Sequence, residues 1–259
     1  MALQMLHESG IVRVNRLEQA MAWMVDQGPL VENPKVPSWI VKSLVRTKRI
    51  ARLRKGLYLV PDERGRMAPL PAVIKQLAPD GYLSFYGAFS ASGLTDQDAP
   101  VWIVVSGHRQ APIRYGRRTV RFFTSRARAR SAETRELELF GGRLRVATPA
   151  QALMDTLEYP TNGPSLSELV RVVGNALSAR RLSKAALRRR VLARKSPSLA
   201  RRLGFVIEVA TGTRDLALAG IARRSHDWTD ADGRGGLVRD NWWRLTLPES
   251  SERIRAAAG

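Results

Sequence analysis

The stretch R-I-A-R-L-R-K-G-L-Y-L-V-P, residues 49–61, decides how this chain is read. Apolar residues alternate from Ile50 to Leu53 and again from Leu57 to Val60. Between them lies a tight turn through Arg54-Lys55-Gly56, where glycine takes the left-handed backbone such a turn needs. The spacing predicts a short hairpin, with Arg49, Arg52, Arg54 and Lys55 gathered about its tip. Taken alone, such a run also fits a solvated turn.

The preceding residues strengthen the functional reading. Pro37 suits a first helical turn, and S-W-I-V-K-S-L-V-R-T-K-R (38–49) follows it. At 100° per residue, Ile40 and Leu44 share one side with Val41 beside them. Lys42, Arg46 and Arg49 fall opposite, with Ser38 and Trp39 at the start. Seven bases and no carboxylate lie between Lys42 and Lys55. Like charges at helical spacing cost a few tenths of a kcal/mol per pair, so their accumulation suggests an external anion. Upstream, Asn15 and Glu18 form a capping box. Leu17, Ala20, Met21 and Met24 recur at helical spacing until Gly28-Pro29. Helix, helix with a basic face, basic hairpin is the order of a winged helix-turn-helix, whose recognition helix enters the major groove while the wing straddles phosphates.

The totals agree with a polyanion partner. Forty-three Lys and Arg face 23 Asp and Glu, a net charge of +20, and arginine outnumbers lysine 36 to 7. The arginine excess suits bidentate contacts to phosphate or guanine, or it reflects a GC-rich genome. With 44% hydrophobic residues over 259 positions, the chain can bury a real core. Cysteine is absent, which leaves no disulfide or thiolate chemistry and suits a reducing cytoplasm. No apolar run approaches the roughly 20 residues of a membrane helix, and the N-terminus lacks the pattern of a signal peptide. The expectation is a soluble, cytoplasmic protein.

Residues 61–71, with three prolines and a glycine, read as a linker. Beyond it the spacing predicts a helix over 81–94, strands over 101–107 and 117–125, and a hairpin about Gly141-Gly142. A helix starts at Thr148-Pro149, residues 165–223 are mostly helical, and 241–248 is a strand. Of Trp242 and Trp243, opposite faces would put one in the core. The closing R-I-R-A-A-A-G is expected to fray. The fold class is α+β: a winged helix-turn-helix at 1–66, then a larger mixed α/β domain at 67–259.

Three motifs in this order resemble the AbiEi-type antitoxins of bacterial toxin–antitoxin pairs. Ile50, Arg52, Leu53, Lys55, Gly56, Leu57 and Tyr58 fit the wing of that family, although Arg49 stands where a glycine is usual. Ser84, Ala88 and Gly93-Leu94 fit its serine-and-alanine helix, with Ser92 where a histidine is common. Ala147, Thr148, Pro149, Ala152, Leu153 and Asp155 fit a later helix start. The resemblance spans roughly residues 35–220. It implies autorepression at inverted repeats in a promoter and an antitoxin role against a nucleotidyltransferase-like toxin. It further implies that Lys42, Arg46 and Arg49 lie at the major groove and Arg52, Arg54 and Lys55 on the wing. The expected partners are therefore double-stranded DNA and a cognate toxin, with no membrane, and the chain acts as a monomer or weak homodimer.

Two further runs are purely basic: eight arginines in 109–130 and eleven bases in 171–202. They read either as solvated faces or as additional contacts, with Arg114, Arg117 and Arg118 as possible phosphate ligands. Trp39 has two readings, stacking on sugar or base against packing on the wing or first helix. Enzyme chemistry finds little footing. Glu133, Glu136, Glu138, Asp155 and Glu158 do not form the carboxylate cluster of a two-metal nuclease, and His7, His108 and His226 are scattered. There is no G-x-S-x-G, P-loop or G-x-G-x-x-G motif. No catalytic residue, cofactor or metal is expected. The alternatives are a general DNA- or RNA-binding protein without a toxin partner and, third, a nucleic-acid-processing enzyme.

Overall fold

A computed structural model describes residues 16–258. Asn15, the proposed cap, and His7 lie outside the described residues. The first helix, α1, covers residues 16–26 and buries Ala20 and Met24, as its spacing requires. Gly28 (φ +93°) turns the chain into β1 (Leu30–Glu32), a strand too short to leave a periodic signal. Helix α2 (Ser38–Arg46) has Pro37 at its N-cap and buries Ile40, Val41 and Leu44. It is shorter than expected. Lys48 takes a left-handed conformation (φ +58°), and the amides of Arg49 and Ile50 both donate back to the Leu44 carbonyl, at 2.9 and 3.4 Å. Arg49 therefore lies beyond the helix.

The hairpin forms as β2 (Ala51–Arg54) and β3 (Leu57–Leu59), with Gly56 at φ +79°. A bulge between Arg52 and Arg54 shifts its register. With β1 it makes a three-stranded sheet in the order β1-β3-β2. The pleat sends the two faces to different cores. Val31 and Tyr58, a cross-strand pair, face α1 and α2 together with Ile50 and Val60. Leu53, Leu57 and Leu59 join the large core of the rest of the chain.

That core is built on a six-stranded mixed sheet of β4 (Tyr82–Ser84), β5 (Val101–Ser106), β6 (Ile113–Tyr115), β7 (Arg118–Thr124), β8 (Thr134–Leu139) and β9 (Gly142–Ala147). Its order is β6-β7-β5-β4-β9-β8, with parallel β5–β7 and β4–β9 pairs. Phe140 and Gly141, both at positive φ, make the β8–β9 turn. Helices α3 (Leu70–Leu77), α4 (Phe85–Ala91), α5 (Arg126–Ser131) and α6 (Pro149–Glu158) connect or cover the strands. Thr148 caps α6, its hydroxyl accepting from the Gln151 amide at 3.3 Å. A helical layer follows: α7 (Leu166–Ser178), α8 (Lys184–Arg194), α9 (Pro197–Thr211) and α10 (Leu216–Ala222). Strands β10 (Thr229–Asp230), β11 (Val238–Asp240) and β12 (Leu245–Leu247) form a third, small sheet, and α11 (Ser251–Ala258) closes the chain.

Four expectations need correction. Residues 82–84 are strand, because their backbone pairs antiparallel with β5 and parallel with β9; the helix begins only at Phe85. Leu70 and Pro71, placed in the linker, begin α3 and are buried. Of 241–248 only Leu245–Leu247 is strand, and the two tryptophans sit in the turn before it, with Trp243 buried and Trp242 exposed. The closing segment is a helix anchored by the fully buried Ile254.

Candidate nucleic-acid interface

The exposed face of α2 and the adjacent face of the hairpin enclose a groove of about 590 Å³. Lys42 and Arg46 line it from the helix because their 4-residue spacing puts both opposite Ile40 and Leu44. Arg52 and Lys55 line it from the hairpin, Arg52 sharing the pleat face of its pair partner Tyr58. Ser38 and Tyr58 complete the wall. Lys42, Arg46 and Lys55 are exposed and form no ion pair among the described residues, and the one contact of Arg52 is a long hydrogen bond (3.4 Å) to the Arg54 carbonyl. Trp39 is exposed at the helix start. Arg52 also lines a second groove of about 480 Å³, where Arg114 of β6 stands across from it. The structure thus brings together Lys42, Arg46, Arg52 and Lys55 in one groove and sets Arg114 beside Arg52 in a second.

It sets other predicted ligands apart, and the expectation that no base of this region has an acidic partner is corrected. Arg49 makes a bidentate pair with Glu18 of α1 (2.6 and 2.9 Å). That hydrogen bond holds the Glu18 carboxyl below its ordinary pKa and raises that of Arg49. Arg54 turns to the opposite sheet face, donating to Glu32 (3.3 Å) and to the Ala111 carbonyl (3.1 Å). Arg118 donates from Nη2 to both carboxylate oxygens of Asp98 (2.9 and 2.8 Å) and packs over the Trp102 and Phe140 rings. Arg117, at the β6–β7 turn, is exposed with no ion pair among the described residues.

Several bases of the two basic runs are paired inside the protein, while Arg109, Arg121, Arg126 and Arg130 are exposed with no ion pair among the described residues. Arg128 pairs with Asp155 and Glu158, Arg194 with Glu158, Arg190 with Glu133 and Arg171 with Glu168. Arg202 donates only to main-chain carbonyls. Asp155 is fully buried. It accepts from Tyr82 (3.0 Å), Ser84 (2.7 Å), Gln151 (2.8 Å) and Arg128, a network sequence reasoning missed. Burial and this carboxylate together push the Tyr82 phenol far up. Among the described residues no three His, Asp or Glu side chains converge in a way that could hold a metal ion. No helix among them is long and apolar enough to cross a membrane.

Fold and site define a mixed α/β protein with a cationic groove between a helix and a hairpin. The architecture is similar to that of the RV2827C protein from Mycobacterium tuberculosis: the crystal structure of that protein matches with a TM-score of 0.54 over 89% of this chain and 90% of that one, at 14% sequence identity. At that identity the likeness concerns the fold alone. Neither a family model nor a curated protein sequence matches the chain.

Proposed function

We propose that this protein binds duplex DNA with its N-terminal region acting as a winged helix. In this reading α2 enters the major groove, the β2–β3 hairpin lies along the phosphates, and Arg114 extends the contact from the larger domain. The observation that supports it is the convergence on one groove of Lys42, Arg46, Arg52 and Lys55, none with an acidic partner among the described residues. A solvated surface would interleave charges of both signs, as the Arg49–Glu18 pair does just beyond the end of α2. The mechanism is docking without catalysis: the α2 side chains read base edges, and the hairpin and Arg114 neutralise phosphates.

Autorepression at a promoter and antagonism of a cognate nucleotidyltransferase-like toxin extend this reading and rest on the resemblance to AbiEi-type antitoxins. The leucines of the hairpin sit in the core of the larger domain, so a partner bound to one would be mechanically coupled to the other. The test is a gel-shift titration of the full chain against its own upstream DNA and a scrambled duplex, with Lys42→Ala/Arg46→Ala beside the wild type. Preference for the upstream DNA that the double change abolishes supports the reading. Equal binding to both duplexes, unaltered by the double change, sinks it.

A further inference from the structure

Arg201, in the second turn of α9, is 1% exposed and has no carboxylate partner among the described residues. Its Nη1 donates to the Thr229 hydroxyl (2.9 Å) and its Nη2 to the carbonyls of Ala222 (2.9 Å) and Ser225 (2.6 Å). Its Nε is buried and has no acceptor. The carboxylate that acts on it from a distance, Asp227, is exposed, makes no ion pair with it and is held by the Ser225 hydroxyl at 2.8 Å. A guanidinium removed from water without a counter-charge is destabilising, and the proximity of a second cation, Arg244, adds to that.

Arg201 lines a cavity of about 320 Å³ together with Arg223, Arg244, His226, Asn241 and Trp242, and no acidic side chain lines it. Arg201 and Trp243 form its buried floor; Arg223, His226, Asn241 and Trp242 stand at an exposed mouth. Arg244, held at φ +52°, donates to the Ser225 carbonyl (3.2 Å) and to His226 Nδ1 (2.9 Å), which leaves His226 Nε2 as a donor. Three guanidiniums thus converge, one of them with an unused buried N–H.

We infer that this cavity is a binding site for a phosphate group, carried by a small phosphate ester or by inorganic phosphate. Several forked donors with fixed directions suit the tetrahedral oxygens of a doubly charged phosphate better than a halide or a single carboxylate. The volume leaves room for a small substituent beyond the phosphate. The Trp242 ring already carries the guanidiniums of Arg214 and Arg223, at 4.3 and 4.6 Å, which occupy the π surface a nucleobase would stack on. Recognition therefore falls on the phosphate and not on a base. The site lies on α9 and the β10–β12 region and is independent of the DNA groove.

The experiment is an isothermal titration of the full chain with inorganic phosphate at constant ionic strength, repeated on Arg223→Gln, Arg244→Gln and Lys42→Ala/Arg46→Ala. Saturable one-to-one binding is expected, weakened roughly tenfold or more by each cavity change, the size of a lost charged hydrogen bond, and unaltered by the groove change. Arg223 is exposed, so Arg223→Gln keeps the test valid if the left-handed Arg244 position proves sensitive. No saturable binding, or an equal loss in the groove variant, would mean a water-filled cavity in a diffuse cationic field and overturn the proposal. Competition then separates the sources of the phosphate. Displacement by a mononucleotide but not by duplex DNA assigns a free ester. Displacement by the duplex that Arg223→Gln removes assigns a backbone phosphate and overturns the small-ligand assignment.

Discussion

Salt dependence distinguishes cations that are free to meet phosphate from cations already paired inside the protein. Five bases line the two grooves at the hairpin and carry no ion pair among the described residues: Lys42, Arg46, Arg52, Lys55 and Arg114. Each neutralised phosphate contributes about 0.9 to the slope of log affinity against log salt, so five contacts give a slope near −4.5 and a loss of about 500-fold between 50 and 200 mM salt. Lys42→Ala/Arg46→Ala should make the slope shallower by about 1.8. Arg49 behaves differently, because its guanidinium is bidentate to Glu18 and the pair is neutral as a unit. The double change Glu18→Gln/Arg49→Ala removes the pair without changing net charge and should leave the slope where it was. Fluorescence anisotropy of a labelled upstream duplex, titrated at four salt concentrations, reads both numbers. If Glu18→Gln/Arg49→Ala flattens the slope as much as Lys42→Ala/Arg46→Ala does, the division into free and paired cations is wrong.

Other outcomes follow from packing and titration. Asp155→Ala strips the acceptor from Tyr82, Ser84, Gln151 and Arg128 in a buried setting, and urea unfolding should show a loss of about 3–5 kcal/mol, the usual result of orphaning one member of a buried pair. A change under 1 kcal/mol would mean the network is solvated. Gly204→Ala would drive its new Cβ into the Trp243 ring, costing about 1–3 kcal/mol and shifting tryptophan emission; unchanged stability and emission would show that the ring can move aside. Burial pushes the Asp230 carboxyl up, but the amides of Gly235 (2.6 Å), Gly233 (2.9 Å) and Asp232 (3.2 Å) outweigh it and the pKa is lowered. Its contribution is therefore complete above the ordinary carboxylate value and lost as pH falls through the lowered one. The stability gap between wild type and Asp230→Asn should close on acidification over that window; a gap that widens would contradict the sign.

The sequence by itself determined what depends on neighbours along the chain. Thr148-Pro149 opens α6 because a hydroxyl cap and a fixed φ act within one turn. Gly141 closes the β8–β9 hairpin, and Gly56 the β2–β3 hairpin, because each needs a positive φ. The two faces of α2 follow from period 3.6, so Ile40 and Leu44 could be sent inward and Lys42 and Arg46 outward without a structure. Only the tertiary structure decided which cations are free. Glu18 lies 31 residues from Arg49, and Glu32 lies 22 from Arg54, so an acid-free run along the chain says little about the acids around it in space. The same holds for Tyr82–Ser84, whose helical spacing was overruled by backbone pairing with β5 and β9. It holds again for Arg201, one of eleven bases in a run that read either as a solvated face or as additional contacts and whose burial no local pattern signals. Helix caps, turns and periodicity are local properties of the chain, whereas burial and charge pairing belong to segments brought together by folding.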